Sequence, residues 1–263
     1  MDNLWQQTNP TSLSMTQVET SLFGVRLCAT QPASAVQAII MRARQHGGLV
    51  CVSNVDMVTR AVSDSKLAGV MQQAFMVVTD GMPLVWVLRA RGLDAAQRVY
   101  GPELMRQLCS AAATAGLSVY LYGGTTQELA ALQRELLRTM PTLCIAGAES
   151  PPMLPADPPY DAAVVARINA SGARLVFVGL GCPKQEYWMG SHAAHIGAVS
   201  VGVGLAFAQL AGLKRPAPQW MSRNGLEWLF RLVQEPRRLW RRYLVGNSKF
   251  VWLLLCDVVR RVP

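Results

Sequence analysis

Six short apolar runs punctuate the first 203 residues, and nearly every gap between them is of helical length. They are Leu49 to Val52, Phe75 to Thr79, Ser118 to Tyr122, Leu143 to Ala146, Leu175 to Val178 and Val199 to Val203. A strand covered on both faces of a parallel sheet is apolar throughout, whereas a half-exposed strand alternates. The runs therefore predict buried parallel strands. The segments Pro32 to His46, Met57 to Gln72, Glu103 to Ala115, Thr126 to Met140 and Tyr160 to Ala170 predict the crossover helices. The expected fold class is α/β, a Rossmann-like doubly wound, mainly parallel sheet. Pro151 to Pro159 reads as a surface loop.

The residues at the end of each run point to a ligand site. Ser53-Asn54, Asp80-Gly81, Gly123-Gly124, Gly147, Gly179-Leu180-Gly181 and Gly204 stand just after the six strands in turn. Open α/β sheets bind ligands at the carboxyl ends of their strands, so one cleft lined by all these segments is the economical reading. Glycine also serves ordinary strand-to-helix turns, and only the shared position gives these residues weight. No segment matches GxGxxG or a Walker loop, which leaves a dinucleotide enzyme or an ATPase without support. Asp80 is the candidate general base: it ends a strongly apolar strand, where partial desolvation raises a carboxyl pKa. Asp-Gly is also a plain turn former. Pro183-Lys184-Gln185-Glu186 should open a helix that includes Trp188, with Lys184 and Gln185 as donors to anionic or sugar oxygens. His192 and His195 lack a third ligand and read as packing residues, and no metal site is expected.

Charge is segregated. Residues 1–212 hold 14 Lys or Arg against 13 acidic residues, while 213–263 hold 11 against Glu227, Glu235 and Asp257. A nearly neutral core thus carries one cationic module, which argues against a nucleic-acid partner despite the basic whole. In that module Leu226, Leu229, Phe230 and Val233 have helical spacing, and Glu227 and Arg231 form an i,i+4 pair. Pro236 starts a second helix, with Arg238, Arg241 and Arg242 grouped on one side. Its longest apolar run, Phe250 to Cys256, is far shorter than the roughly 20 residues a spanning helix needs. The module is read as a C-terminal helical membrane-associating appendage on an anionic membrane surface. An amphipathic helix packed on the core, or on a second subunit in a homo-oligomer, is the competing reading. Three parts are expected: a flexible leader over 1–20, a catalytic domain over 21–212 and the appendage over 213–263. The leader lacks the pattern of a signal peptide. Six scattered cysteines without CxxC spacing fit a reduced, cytoplasmic compartment.

The order Asn54, Thr79-Asp80-Gly81, Arg98-Val99-Tyr100-Gly101, Gly123-Gly124, Gly179 to Glu186 and Gly225 to Leu232 resembles the WecG/TagA/CpsF glycosyltransferases over roughly residues 22–250. That resemblance implies inverting transfer of a hexosyl residue from a UDP-sugar to an undecaprenyl-diphosphate-linked sugar. It places the enzyme peripherally at the cytoplasmic face of the inner membrane, with no cofactor. It implies Asp80 as general base and Asn54 and Gln185 as polar residues near donor and acceptor. Arg98 supports the same cleft, and Arg231, Arg238 and Arg241 meet the diphosphate. Gly123, Gly124, Lys184 and Glu186 complete the expected binding set. The chain resembles the GumM-type exopolysaccharide members more than the teichoic acid ones, which favours glucose. N-acetylmannosamine, as in teichoic acid or common-antigen synthesis, is the alternative, and a non-catalytic membrane scaffold is the alternative of another class. Three departures from the family pattern bear on the sugar rather than the reaction. Val52 stands where Thr is common, Ala208 comes after Phe207 where Asp is common, and Arg215-Pro216-Ala217-Pro218 is shifted by one residue.

Overall fold

A computed structural model of the chain describes residues 18–261. The expected leader therefore lies outside the described residues except for its last three positions. Those begin a hairpin, β1 (Val18–Leu22) and β2 (Val25–Ala29), paired antiparallel and turned at Phe23-Gly24. Then come α1 (Pro32–Gln45), β3 (Gly48–Ser53), α2 (Val55–Ala61), α3 (Ser65–Gln73), β4 (Met76–Thr79) and α4 (Met82–Ala90). The middle of the chain forms α5 (Gly101–Ala115), β5 (Val119–Gly123), α6 (Thr126–Thr139), β6 (Ile145–Glu149), α7 (Ala162–Ala170) and β7 (Leu175–Gly179). The last part forms α8 (Lys184–His192), β8 (Val199–Gly202), α9 (Ala206–Leu210), α10 (Gln219–Arg223), α11 (Glu227–Gln234) and α12 (Pro236–Arg261).

Local chemistry sets the helix starts. Asn54, Asp64 and Asp161 each accept a first-turn backbone N–H, and Thr125 forms a reciprocal capping box with Glu128. Proline opens α1, α4 and α5, where its missing N–H costs nothing. The Asp64 cap explains why Met57 to Gln72, expected as one helix, is divided: a new helix starts there after a turn at Val62 and Ser63.

β3 to β8 form one six-stranded, wholly parallel sheet in the order β4-β3-β8-β7-β5-β6. The chain runs outward from β3 to β4, crosses to β5 and β6, and fills the middle last with β7 and β8. Two cores lie on the two faces. Leu49, Cys51, Val77, Tyr120, Tyr122, Val176 and Val178 pack against α2, α3, α4, α7, α8 and the hairpin. Val50, Val52, Val78, Leu121, Phe177 and Val201 pack against α1, α5, α6 and α9. Successive residues of a strand enter opposite cores, which is why these strands read as unbroken apolar runs.

The expected architecture needs correction. Among the described residues helix accounts for 54% against 16% strand, so the fold is mixed α/β with a helical majority around the parallel sheet. The antiparallel component is not part of that sheet but a separate two-stranded unit. The membrane-associating appendage needs correction too: its last helix packs on the core along α2, and among the described residues no helix is long and apolar enough to cross a membrane. Arginines at 237, 238 and 241, with Lys249 and Asp257, keep interrupting the apolar pattern of α12. That helix instead folds back on the core along α2. Leu239 and Phe250 are buried there, Phe250 meets Phe23 edge-on at 5.8 Å, and Asp257 pairs with Arg91 at 2.6 Å.

Candidate active site

β3 and β8 are neighbours whose next helices in the chain, α2 and α9, leave to opposite faces of the sheet. Such a divergence opens a crevice at the strands' carboxyl ends. Here α11 and α12 roof it. Two chambers result. The first, about 330 Å³, is lined by Gly179 to Cys182, Gln185, Gly202 to Leu205, Lys214, Arg231 and Arg238, among others. The second, about 310 Å³, has a largely apolar wall of Val55, Met82, Pro83, Trp228, Phe250 and Leu254. Asn54, Asp80, Arg231 and Tyr243 line both chambers. An open depression of about 940 Å³ between α1 and α5 is larger but has no carboxylate in its lining.

Asp80 is fixed by its backbone. Its N–H donates to Ser53 O at 2.7 Å, continuing the β3–β4 ladder by one residue. Val99 N–H donates to Thr79 O at 2.8 Å, which lays the 97–99 segment beside the strand end and delivers Arg98. Arg98 donates through Nε and Nη2 to the same oxygen of Asp80, Oδ1, at 3.1 and 3.0 Å. The other oxygen, Oδ2, takes no hydrogen bond among the described residues. It lies toward Gly101, where an added Cβ would sit 3.7 Å from it. Desolvation raises the Asp80 carboxyl to about 6; Arg98 and Arg231 oppose that rise and Glu227 adds to it. At neutral pH the carboxylate is ionised, moderately basic and open on one side, which suits a group that must take a proton.

The charges continue into the roof. Arg98 Nη2 also donates to Glu227 Oε2, and Arg231 Nη2 donates to Glu227 Oε1. Asp80, Arg98, Glu227 and Arg231 thus alternate in sign from sheet to roof. The Arg98 guanidinium stacks over Tyr100 at 4.3 Å, and the Tyr100 hydroxyl donates to Gln209 Oε1 at 2.6 Å. The roof is held close by Gly225, at φ +69°, because a Cβ there would meet Trp86 of α4 at 2.8 Å.

Of the residues expected at the site, Asn54, Asp80, Gln185, Arg231 and Arg238 line the polar chamber, and Arg98 lines the apolar one. Asn54 Oδ1 is committed to capping α2 at Met57 N–H, 3.1 Å away. The Gln185 amide accepts from Gly181 N–H at 3.2 Å and donates to buried Glu186 Oε1 at 2.7 Å. This pair holds the Gly181 turn against the chamber, with Glu186 behind the lining rather than in it. Lys184 reaches the other way, donating to Leu154 O at 2.7 Å in the proline-rich loop. Gly123 and Gly124 lie outside the lining. Gly123, at φ +119°, lets β5 approach the Gly179 backbone, which an added Cβ would meet at 2.7 Å. Arg241 is exposed on α12 near the Trp240 ring and is not brought to the cleft. Among the described residues no group of three or more His, Cys, Asp or Glu side chains could hold a metal ion. The His192 ring is buried instead against Trp188, at 4.4 Å between centroids, and its Nε2 accepts from Asp161 N–H at 2.9 Å.

Two participants were not singled out from sequence, and a third, Glu227, was read there only as the i,i+4 partner of Arg231, a pair that the structure contains. Tyr243 and Gln209 carry no local signal. Glu227 does: it is an acidic residue in an apolar helix, and it is only 9% exposed. All of this arrangement except the first two residues of the hairpin falls within residues 20–262, which match the family model described as glycosyl transferase WecG/TagA/CpsF family, and the chain belongs to that family.

Proposed function

We propose that this protein transfers a hexosyl residue, with inversion, from a UDP-sugar to a sugar carried on a lipid diphosphate of the undecaprenyl type. One observation carries the reading: Asp80 stands between a polar, arginine-bearing chamber and an apolar one, with Oδ2 open. The polar chamber suits a nucleotide diphosphate, since guanidinium forks match phosphate oxygens. The apolar chamber suits an acceptor that arrives on a lipid. Asp80 Oδ2 accepts the proton of the acceptor hydroxyl as its oxygen bonds to the anomeric carbon. The bond from that carbon to UDP breaks on the opposite face, and Arg231 and Arg238 meet the charge that develops on the leaving diphosphate. The reaction takes place at the membrane face that presents the acceptor. Glucose is the donor sugar put forward, on the likeness to exopolysaccharide members.

The test is radiolabelled transfer from UDP-glucose or UDP-N-acetylmannosamine to defined lipid-diphosphate sugars. The expected result is transfer from UDP-glucose that Asp80→Asn lowers by roughly 10²- to 10⁴-fold while UDP still binds. Preference for N-acetylmannosamine reassigns the sugar. Undiminished transfer by Asp80→Asn removes the base, and a protein that binds UDP but never transfers is a scaffold.

A further inference from the structure

The polar contacts of Arg98 are lopsided, because the Asp80 carboxylate shares this guanidinium with the Asp80 backbone carbonyl at Nε and with Glu227 at Nη2. An arginine facing a lone carboxylate favours the bidentate fork, one N–H to each oxygen. Here Nε and Nη2 both reach Asp80 Oδ1, Nε donates also to the Asp80 backbone O at 2.5 Å, and Nη2 turns at the same time to Glu227 Oε2. Glu227 is pinned from the other side by Arg231, at the start of a helix seated on α4 through Gly225. We propose that Glu227 is a positioning residue for the base: by holding one arm of Arg98 it keeps that guanidinium on a single oxygen of Asp80 and leaves the other oxygen open to the acceptor hydroxyl. This rests on the glycosyl-transfer reading above and names a residue that reading does not use.

The competition has a direct chemical consequence. With Glu227 neutral, Arg98 can close its fork over both oxygens of Asp80, and the carboxylate becomes a weaker base that no longer offers a free lone pair. Glu227 also acts through space, since its negative charge is among the causes that raise the Asp80 carboxyl. The other groups around the pair are accounted for. Tyr100 is turned to Gln209 and Asp56 of α2 is paired with Arg60. Lys214 is paired with Glu235, and Tyr243 of α12 closes the shared wall. Because Glu227 belongs to the roof and Asp80 to the sheet, the base is fully set only when the roof is seated.

Glu227→Gln in the full chain tests this, with UDP binding as the check on folding. The expected result is a fall in kcat of roughly ten- to a hundred-fold, little change in KM for UDP-sugar, and an acid limb of the kcat profile moved to lower pH. A direct readout accompanies it: the ¹³Cγ resonance of Asp80, assigned by its loss in Asp80→Asn, should titrate at lower pH in Glu227→Gln than in wild type. Glu227→Asp, which keeps the charge on a shorter arm, should hold the wild-type acid limb while losing part of kcat. An unmoved profile and an unmoved resonance in Glu227→Gln overturn the proposal, as does a limb that moves equally in Glu227→Asp. Wild-type protein that transfers no sugar defeats the functional reading itself, whereas wild-type transfer with an unmoved Glu227→Gln profile defeats only the role of Glu227.

Discussion

A carboxylate buried enough to serve as the proposed base is also a liability to the fold. The Asp80 carboxyl titrates near 6 in the folded chain against 3.8 for the free side chain, so the fold favours its protonated form. That contribution is complete below pH 3.8 and is lost as pH rises through about 6. Transfer runs the opposite way, needing the ionised form, and is expected to fall as pH drops through about 6, which a kcat profile between about pH 5 and 8 checks. Asp80→Asn stays neutral at every pH. It is expected to unfold at higher temperature than wild type at about pH 8, by the equivalent of about 1–3 kcal/mol after allowing for residual exposure, with the gap closing toward about pH 4. Thermal unfolding across that range measures it. The placement of Asp80 and Asn54 was legible from sequence because strand ends converge in any parallel sheet, whereas Arg98 was expected at the cleft only on the family resemblance. The pairing of Glu227 with Arg98 was not, since the two are 129 residues apart and meet only because the roof folds back.

At the scale of elements, legibility tracked burial. Five of the six sheet strands were readable because cover on both faces makes them continuously apolar; the edge strand β6 has no buried residue and runs over Ile145–Glu149 where 143–146 was expected. β1 was not: VETSL mixes exposed polar positions with one buried leucine, and its turn places Phe23 at φ 55° with no warning in the residue type. α4 escaped for the opposite reason, since MPLVWVLRA is apolar enough to hide its helical period. The inward side of α12 is the stripe Leu239, Tyr243, Gly246 and Phe250, spaced four, three and four apart, and Arg241 falls outside it. Two substitutions probe this seat. Phe250→Ala, which empties the contact with Phe23, should cost about 3–5 kcal/mol if the whole chain unfolds together, as measured by denaturant titration. Gly225→Ala, strained at positive φ and pressed on Trp86, should loosen the roof and lower transfer while leaving the far-UV circular dichroism signature of the sheet and its helices in place.

Over the whole molecule, stability is layered. The sheet has a core on each side, whereas α10, α11 and α12 touch the body mainly along one line and place Val233, Trp240, Leu244, Val251, Trp252 and Val259 at the surface. Elements with fewer buried contacts open at lower free energy than the global transition. Hydrogen exchange should therefore show residues 219–259 exchanging ahead of β3, β7 and β8, and bound UDP-sugar should slow that opening. Equal protection of roof and sheet without ligand would count against a separable roof. The charge segregation seen in the sequence acquires its meaning here: the cationic module serves in part as a wall of the cleft, with Arg231 and Arg238 lining the polar chamber. The wall between the chambers has a last consequence. Asn54, Asp80, Arg231 and Tyr243 face both, so donor and acceptor seated as proposed would meet only across this partition, beside a carboxylate. Such a septum would make each proposed substrate a stopper for the other's compartment and would admit water to Asp80 only while one seat is vacant. Under the proposed function, wasteful hydrolysis of the donor is thus curbed by occupancy of the chambers as well as by the seating of the roof.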